Sequence, residues 1–213
     1  MRLKNVKGAN EIIIKGKYYI NNPEEYKGRW NKLFKNNNII KIEIGMGKGD
    51  FIIENAIKHP NINFIGIEKY DSVIVRAIQK SNELELNNLK IIRLDAINID
   101  KIFDKEIDTI YLNFSDPWPK DRHAKRRLTS PIFLKKYESI FKKDYKIIMK
   151  TDNINLFNYS IEKLKEEKYQ IIYQTNDLHK ENDINNIMTE YEKKFTANGI
   201  KINKLEAIKQ ILK

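Results

Sequence analysis

Two stretches of this chain hold residue types able to do chemistry together: EIGMGKGDF, Glu43 to Phe51, and NFSDPWPKDRHAKRR, Asn113 to Arg127. In the second, Pro117 and Pro119 remove backbone donors, fix φ and press Asp116 and Trp118 toward extended geometry. A carboxylate, an indole and the cations Lys120, Arg122, Lys125, Arg126 and Arg127 are thereby presented on one stiff segment. That combination suits a nucleobase and its phosphates. A surface turn is the competing reading, because Asp and Pro are common turn residues and basic clusters are usually solvated. Trp118 between prolines argues for a ring that covers something.

In the first stretch, Gly45, Gly47 and Gly49 precede an apolar helical segment, so the backbone can approach a ligand where helix N–H groups point outward. A dinucleotide fingerprint would put its third glycine at position 50, which is Asp50, and Lys48 is not followed by the Ser/Thr of a phosphate-binding loop. Glu68 lies about 20 residues past the loop, where an acid commonly takes ribose hydroxyls. Asp95-Ala96 adds another acid. Glu68 alone does not separate NAD from S-adenosylmethionine. Together, however, Glu43, Glu68, Asp95 and Asp116 repel an anionic dinucleotide and suit a sulfonium bearing an ammonium group.

The elements that must position these residues alternate. Strands are expected over Ile39 to Ile44, Asn63 to Ile67, Lys90 to Leu94, Asp108 to Phe114, Tyr145 to Lys150 and Tyr169 to Gln174. Helices are expected between them over Asp50 to Lys58, Ser72 to Leu86 capped by Asp71, Pro131 to Phe141 capped by Ser130, and Asn155 to Glu167. This alternation predicts an α/β fold with a doubly wound, mostly parallel sheet, and all four acids then stand at the carboxyl ends of its strands. TEYEKKFTANGIKI reads as a final strand followed by a Gly-containing turn, and that last strand is expected to be antiparallel. Residues 1–37 read as a basic arm, with Asn22 and Pro23 starting a short helix through Phe34 and the segment otherwise a solvated lead-in. Residues 38–213 form the domain proper.

A length of 213 residues suits one domain with a sizeable core. Forty Lys+Arg against 29 Asp+Glu give a formal net charge of +11, which favours a polyanionic partner, nucleic acid ahead of membrane. No apolar run approaches the ~20 residues of a membrane span, and MRLKNVKGANE has no signal-peptide core, so a cytoplasmic protein is expected. The absence of cysteine excludes disulfides, thiolate nucleophiles and Cys-ligated metals. His59, His123 and His179 show no ligand spacing, so no metal is expected. Both monomer and homodimer are compatible with the sequence.

With the glycine cradle, the Glu68 acid and the proline loop in this order, the chain resembles the bacterial tRNA (guanine-N7)-methyltransferase family. EIGMGKG, GIEKY, DPWPKDRHAKRRL, KTDN and TEYE carry the likeness, from Glu43 to Phe195. The resemblance implies a class I fold, S-adenosylmethionine as methyl donor, and tRNA as partner, methylated on a guanine of the variable loop. It implies that Glu43, Glu68, Asp95 and Asp116 surround the cofactor, with Asp116 also catalytic; Gly45, Gly47 and Ala96 are expected beside them from the glycine loop and the end of the third strand. Lys120, Asp152, Thr189, Glu190, Tyr191 and Glu192 match substrate-binding positions, and Arg122, Lys125, Arg126 and Arg127 are expected on RNA phosphates. Read without the resemblance, Thr189 and Glu192 are a helix cap or strand-edge pair, and Asp152 is an N-cap.

Guanine N7 is an exposed lone pair that needs no prior deprotonation, which fits a chain with no cysteine nucleophile. The nearest alternative is an amino-group methyltransferase of the N6-adenine or N4-cytosine type, whose loop runs Asn/Asp-Pro-Pro-aromatic. Here the order is Asp116-Pro117-Trp118-Pro119. An NAD-dependent oxidoreductase and a non-catalytic RNA-binding module are more distant.

Overall fold

A computed structural model describes residues 8–210 of the chain. Five parallel strands form the body of the sheet: β1 (Ile40–Ile44), β2 (Asn63–Glu68), β3 (Leu89–Arg93), β4 (Ile107–Asn113) and β5 (Phe141–Thr151). Two antiparallel strands, β6 (Gln170–Thr175) and β7 (Asn203–Lys209), complete the order β3-β2-β1-β4-β5-β7-β6. Every residue of β2 is buried, as expected of a strand covered on both faces, whereas β6 alternates between exposed and half-buried residues at the sheet edge.

The order of strands reverses between the parallel neighbours β1 and β4, and their connections leave to opposite sides, which opens a crevice at their carboxyl ends. Helices α1 (Ala9–Ile14), α2 (Trp30–Phe34), α3 (Asp50–Lys58), α4 (Asp71–Asn82), α5 (Pro131–Ile140), α6 (Ile154–Glu166) and α7 (Glu190–Ala197) surround the sheet. Alternate strand residues divide between two cores. Ile65, Ile67 and Ile92 join the larger, and Phe64, Leu89 and Ile91 join the smaller with Ile74 and Ile78 of α4. No helix among the described residues is long and apolar enough to cross a membrane.

Three expectations are corrected. TEYEKKF is a helix, not a strand. Thr189 and Glu192 form a reciprocal capping box that starts α7, and Gly199 at φ 71 ends the turn that follows. The last strand is β7, which inserts between β5 and β6, so the antiparallel prediction holds at a later segment. α4 stops at Asn82 and its N-cap is Tyr70; Asp71 pairs instead with Arg93 at 2.9 Å.

The third correction concerns the lead-in, whose described part packs against the domain. Residues 1–7 lie outside the described region. Pro23–Tyr26 forms a single 3₁₀ turn and Gly28 at φ 71 separates it from α2, so the one helix expected there is two short pieces. Ile20 donates its N–H to Ile91 O at 3.0 Å and Ile91 donates to Tyr18 O at 2.8 Å, covering the outer edge of β3. Trp30 is fully buried, donates Nε1–H to Ile102 O at 3.0 Å and lies 5.2 Å from the Phe103 ring. Glu106 fixes the entry to α2 by accepting the N–H groups of Gly28 and Trp30, each at 2.9 Å. The Trp30→Ala substitution should therefore cost about 3–5 kcal/mol of stability. Chemical denaturation measures this; a loss under about 1 kcal/mol would mean that the segment is dispensable to the fold.

Candidate active site

The carboxyl ends of β1, β2, β3 and β4, together with the first turn of α7, surround a cleft of about 1140 Å³. Its floor and near wall are the glycine loop. Gly47 adopts φ 58 and its N–H donates to Glu68 Oε2 at 3.2 Å, tying the loop to the end of β2. Gly49 adopts φ 80, and a Cβ there would come within 2.9 Å of Ala77 Cβ, so only glycine lets α3 begin this close to α4. A Cβ on Gly45 or Gly47 would meet nothing within 4 Å, so both backbones face open space.

The four acids line this cleft. Glu68 is buried, and burial raises its pKa, opposed by the N–H groups of Lys69, Tyr70 and Gly47. Oε1 accepts from Lys69 at 2.7 Å and Tyr70 at 3.1 Å, leaving acceptor capacity on Oε2 beside the Gly47 bond. Asp95 stands at the rim, where the bond from Lys69 Nζ at 2.7 Å lowers its pKa; its Oδ1 also accepts from Ile97 N–H at 3.2 Å. Asp116 is exposed at the mouth, near enough to Glu68 to push up the Glu68 pKa. Glu43 is the deepest. Only 2% exposed, it accepts Asn113 Nδ2–H at 2.8 Å, and desolvation pushes its pKa up to about 8.

The proline loop is held from behind. Arg127 donates from Nε to Pro117 O at 3.1 Å and from an Nη to Trp118 O at 3.0 Å, while its guanidinium lies 4.3 Å from the Tyr159 ring centroid. Trp118 sits at φ 42, not in the extended geometry expected before a proline, and the Arg127 bonds hold that strained turn. Its ring lines the cleft, with Arg126 Cζ 4.9 Å above and His123 packed edge-on at 5.7 Å.

A family model described as "Putative methyltransferase" matches residues 37–205. The tRNA (guanine-N(7)-)-methyltransferase of Lachnoclostridium phytofermentans is 50% identical over 212 residues, covering 99% of each chain. The chain belongs to the tRNA (guanine-N7)-methyltransferase family. The enzyme of that name from Bacillus cytotoxicus is 49% identical over 209 residues, covering 97% of this chain and 96% of its own. Among solved structures, an antibiotic-related methyltransferase superposes with a TM-score of 0.65 at 16% identity, covering 92% of this chain and 98% of its own, and it shares the fold.

Set against this family's expected positions, the structure brings together Glu43, Gly45, Gly47, Glu68, Asp95, Ala96, Asp116, Lys125, Arg126, Thr189, Glu190 and Tyr191 around one cleft. Lys120, Arg122, Arg127, Asp152 and Glu192 lie outside its lining. Lys120 and Arg122 are exposed nearby, but Arg127 is occupied by loop carbonyls, not free for phosphate. Asp152 is exposed and is not the helix cap; Asn153 caps α6 by accepting Leu156 N–H at 2.8 Å. No group of three or more His, Asp or Glu placed to hold a metal occurs among the described residues.

Glu192 is fully buried and holds α7 to β5. Its Oε2 accepts Lys150 Nζ at 2.9 Å, and its Oε1 accepts Asn186 Nδ2–H at 2.6 Å. Burial lowers the Lys150 pKa, with Glu192 acting in the opposite direction. The sequence reading missed Asn113, Lys150 and Lys69. The first two are polar residues inside expected strands, and that misplacement in an apolar run was the available signal. Glu192→Ala leaves Lys150 buried without its counter-charge, so a loss of about 3–5 kcal/mol is expected. Thermal unfolding of the protein without cofactor or RNA checks this, since a residue that served only the substrate would leave that transition unmoved.

Proposed function

We propose that this chain transfers the methyl group of S-adenosylmethionine to N7 of a guanine in the tRNA variable loop. The observation that carries the reading is the set of acids on four successive strand ends around one cleft, with the proline loop and its cations at the mouth. The residues fit the cofactor: Glu68 keeps acceptor capacity for ribose hydroxyls, Asp95 and Ala96 stand at the rim for the base, and Glu43 lies deep enough to meet an ammonium group. Gly45 and Gly47 leave the backbone open on the same side. The bound cofactor supplies an electrophilic methyl group on a cationic sulfur.

Asp116 orients the guanine by accepting from its N1–H or amino group and steadies the positive charge that moves onto the ring. Because N7 is already a free lone pair, the chain needs no base to activate it. Most of the rate then comes from holding two reactants in line, an effect worth up to about 7–11 kcal/mol. Trp118 from the proline loop, with Tyr191 and Glu190 from α7, lines the cleft that the guanine enters. Lys125 and Arg126 at the lining, with Lys120 and Arg122 exposed beyond it, contact tRNA phosphates, while Arg127 maintains the loop. A cytoplasmic location belongs to this same reading.

Incubation with labelled S-adenosylmethionine and bulk tRNA, followed by nucleoside identification, should yield 7-methylguanosine. Labelled N6-methyladenosine or N4-methylcytidine instead would overturn the assignment. The Asp116→Ala variant should keep its unfolding transition and lose turnover by about 10²-fold or more. Near-normal turnover removes Asp116 from the chemistry. Arg126→Ala should raise the KM for tRNA and reduce the slope of log KM against log salt by about 1, with kcat little changed.

A further inference from the structure

Two walls of the cleft, the glycine loop and the first turn of α7, are each held in place without the other. The Gly47 N–H bonds Glu68 Oε2 at 3.2 Å and the Met46 N–H bonds Ile67 O at 3.0 Å, so the loop is fixed to β2. α7 is fixed by its capping box and by the buried Lys150–Glu192 pair beneath it. One further contact joins the two walls. Lys48 Nζ donates to Glu190 Oε1 at 2.6 Å, the one ion pair among the described residues that runs from the loop to the helix, and both residues line the cleft. Their side chains are 34% and 51% exposed, so the bond adds little stability, and neither wall needs it. What sets it apart is its position, across the space that a base must cross.

Both members of the pair have other partners within reach of an RNA-bound state. Lys194 follows Glu190 by four positions on α7, lines the same cleft, is exposed and takes part in no ion pair among the described residues. A carboxylate followed four positions later by an ammonium is the favourable order on a helix. Glu190 can therefore pass from Lys48 to Lys194 without losing a counter-charge. Lys48, once released, is a compact charge with three donors on a flexible stem, which suits a phosphate.

We propose that Lys48 is an RNA-binding residue and that its ion pair with Glu190 is a gate opened by the substrate. A phosphate of the incoming tRNA takes the Lys48 ammonium, Glu190 moves to Lys194, and the way into the cleft is clear for the guanine. The proposal rests on the assignment of tRNA as substrate. A purine that carries no phosphate leaves the pair closed, so the gate favours a base delivered on a polynucleotide. The two ends of the pair then act in opposite directions: Lys48 assists RNA binding, and Glu190 competes with it.

The test is the binding of an unmodified tRNA transcript with a guanine in its variable loop, followed by fluorescence anisotropy over a series of salt concentrations with S-adenosylhomocysteine present. Lys48→Met should reduce the slope of log Kd against log salt by about 1, the loss of one phosphate contact, and Lys48→Arg should keep the slope. Glu190→Gln should tighten binding on the order of 2- to 5-fold at unchanged slope, because the carboxylate no longer competes with the phosphate. In the double variant that gain should vanish, since without Lys48 there is no gate to release. Weaker binding by Glu190→Gln would make its side chain a direct RNA contact and overturn the gate; an unchanged slope for Lys48→Met would remove Lys48 from the RNA interface. Should Lys48→Met fail to fold, the sign of the Glu190→Gln effect decides alone. Failure of the wild type to bind the transcript at all would instead overturn the assignment of tRNA as substrate.

Discussion

Burying a carboxylate at the centre of a sheet is costly unless something returns the lost hydration. Glu43 is in that position at the end of β1, between β2 and β4, with one hydrogen bond and no committed cation. Lys150 on β5 favours the ionised form of Glu43, yet that ammonium is shared among Glu192, Asn186 and a backbone carbonyl. The floor of the cleft is therefore polar, under-satisfied and enclosed, which is how a site selective for a cationic ligand differs from a solvated acidic patch. The outer acids differ in kind. Asp95 is neutralised by Lys69 and Asp116 is open to water, so the demand for positive charge rises with depth.

The loop at the mouth obeys a related constraint. A left-handed φ at Trp118 costs on the order of 1–3 kcal/mol, and a neighbouring proline removes the usual local remedies. Arg127 offsets this with two charge-assisted hydrogen bonds to the carbonyls of Pro117 and Trp118, and Tyr159 supports its other face. A guanidinium suits this role better than an ammonium because its planar fork reaches both carbonyls at once. The run Arg126-Arg127 thus divides its labour: one cation lies over the indole facing the cleft, and the other braces the backbone from behind.

Much of this was legible in the residue order. Isoleucine-rich runs alternating with amphipathic segments gave the sheet, and acids falling at strand ends marked the rim that Glu43, Glu68, Asp95 and Asp116 share. What escaped was decided by partners distant in sequence. Whether TEYEKKF is strand or helix turns on the capping box and on Lys150, 42 residues away, burying against Glu192. The packed lead-in depends on Glu106 and Ile102, more than 70 residues beyond Trp30. Arg127 could not be told from Arg126 by composition, because only the backbone path of the loop assigns one of them inward.

The insertion of β7 explains why the far wall of the cleft stands where it does. Because β7 returns antiparallel beside β5, the chain entering it must first pass over the carboxyl end of the sheet, and α7 occupies that passage with its N-terminus at the cleft. Two ion pairs then hold α7 in place, of very different weight. Lys48 to Glu190 at 2.6 Å links the glycine loop to the helix across the cleft mouth but is exposed, so it contributes about 0–1 kcal/mol and yields readily. Lys150 to Glu192 at 2.9 Å is buried and bonded on every side, so it fixes the position of the helix without blocking the cleft. A rigid anchor beneath and a weak latch above leave the helix stationary while the space between loop and wall remains free to admit a base.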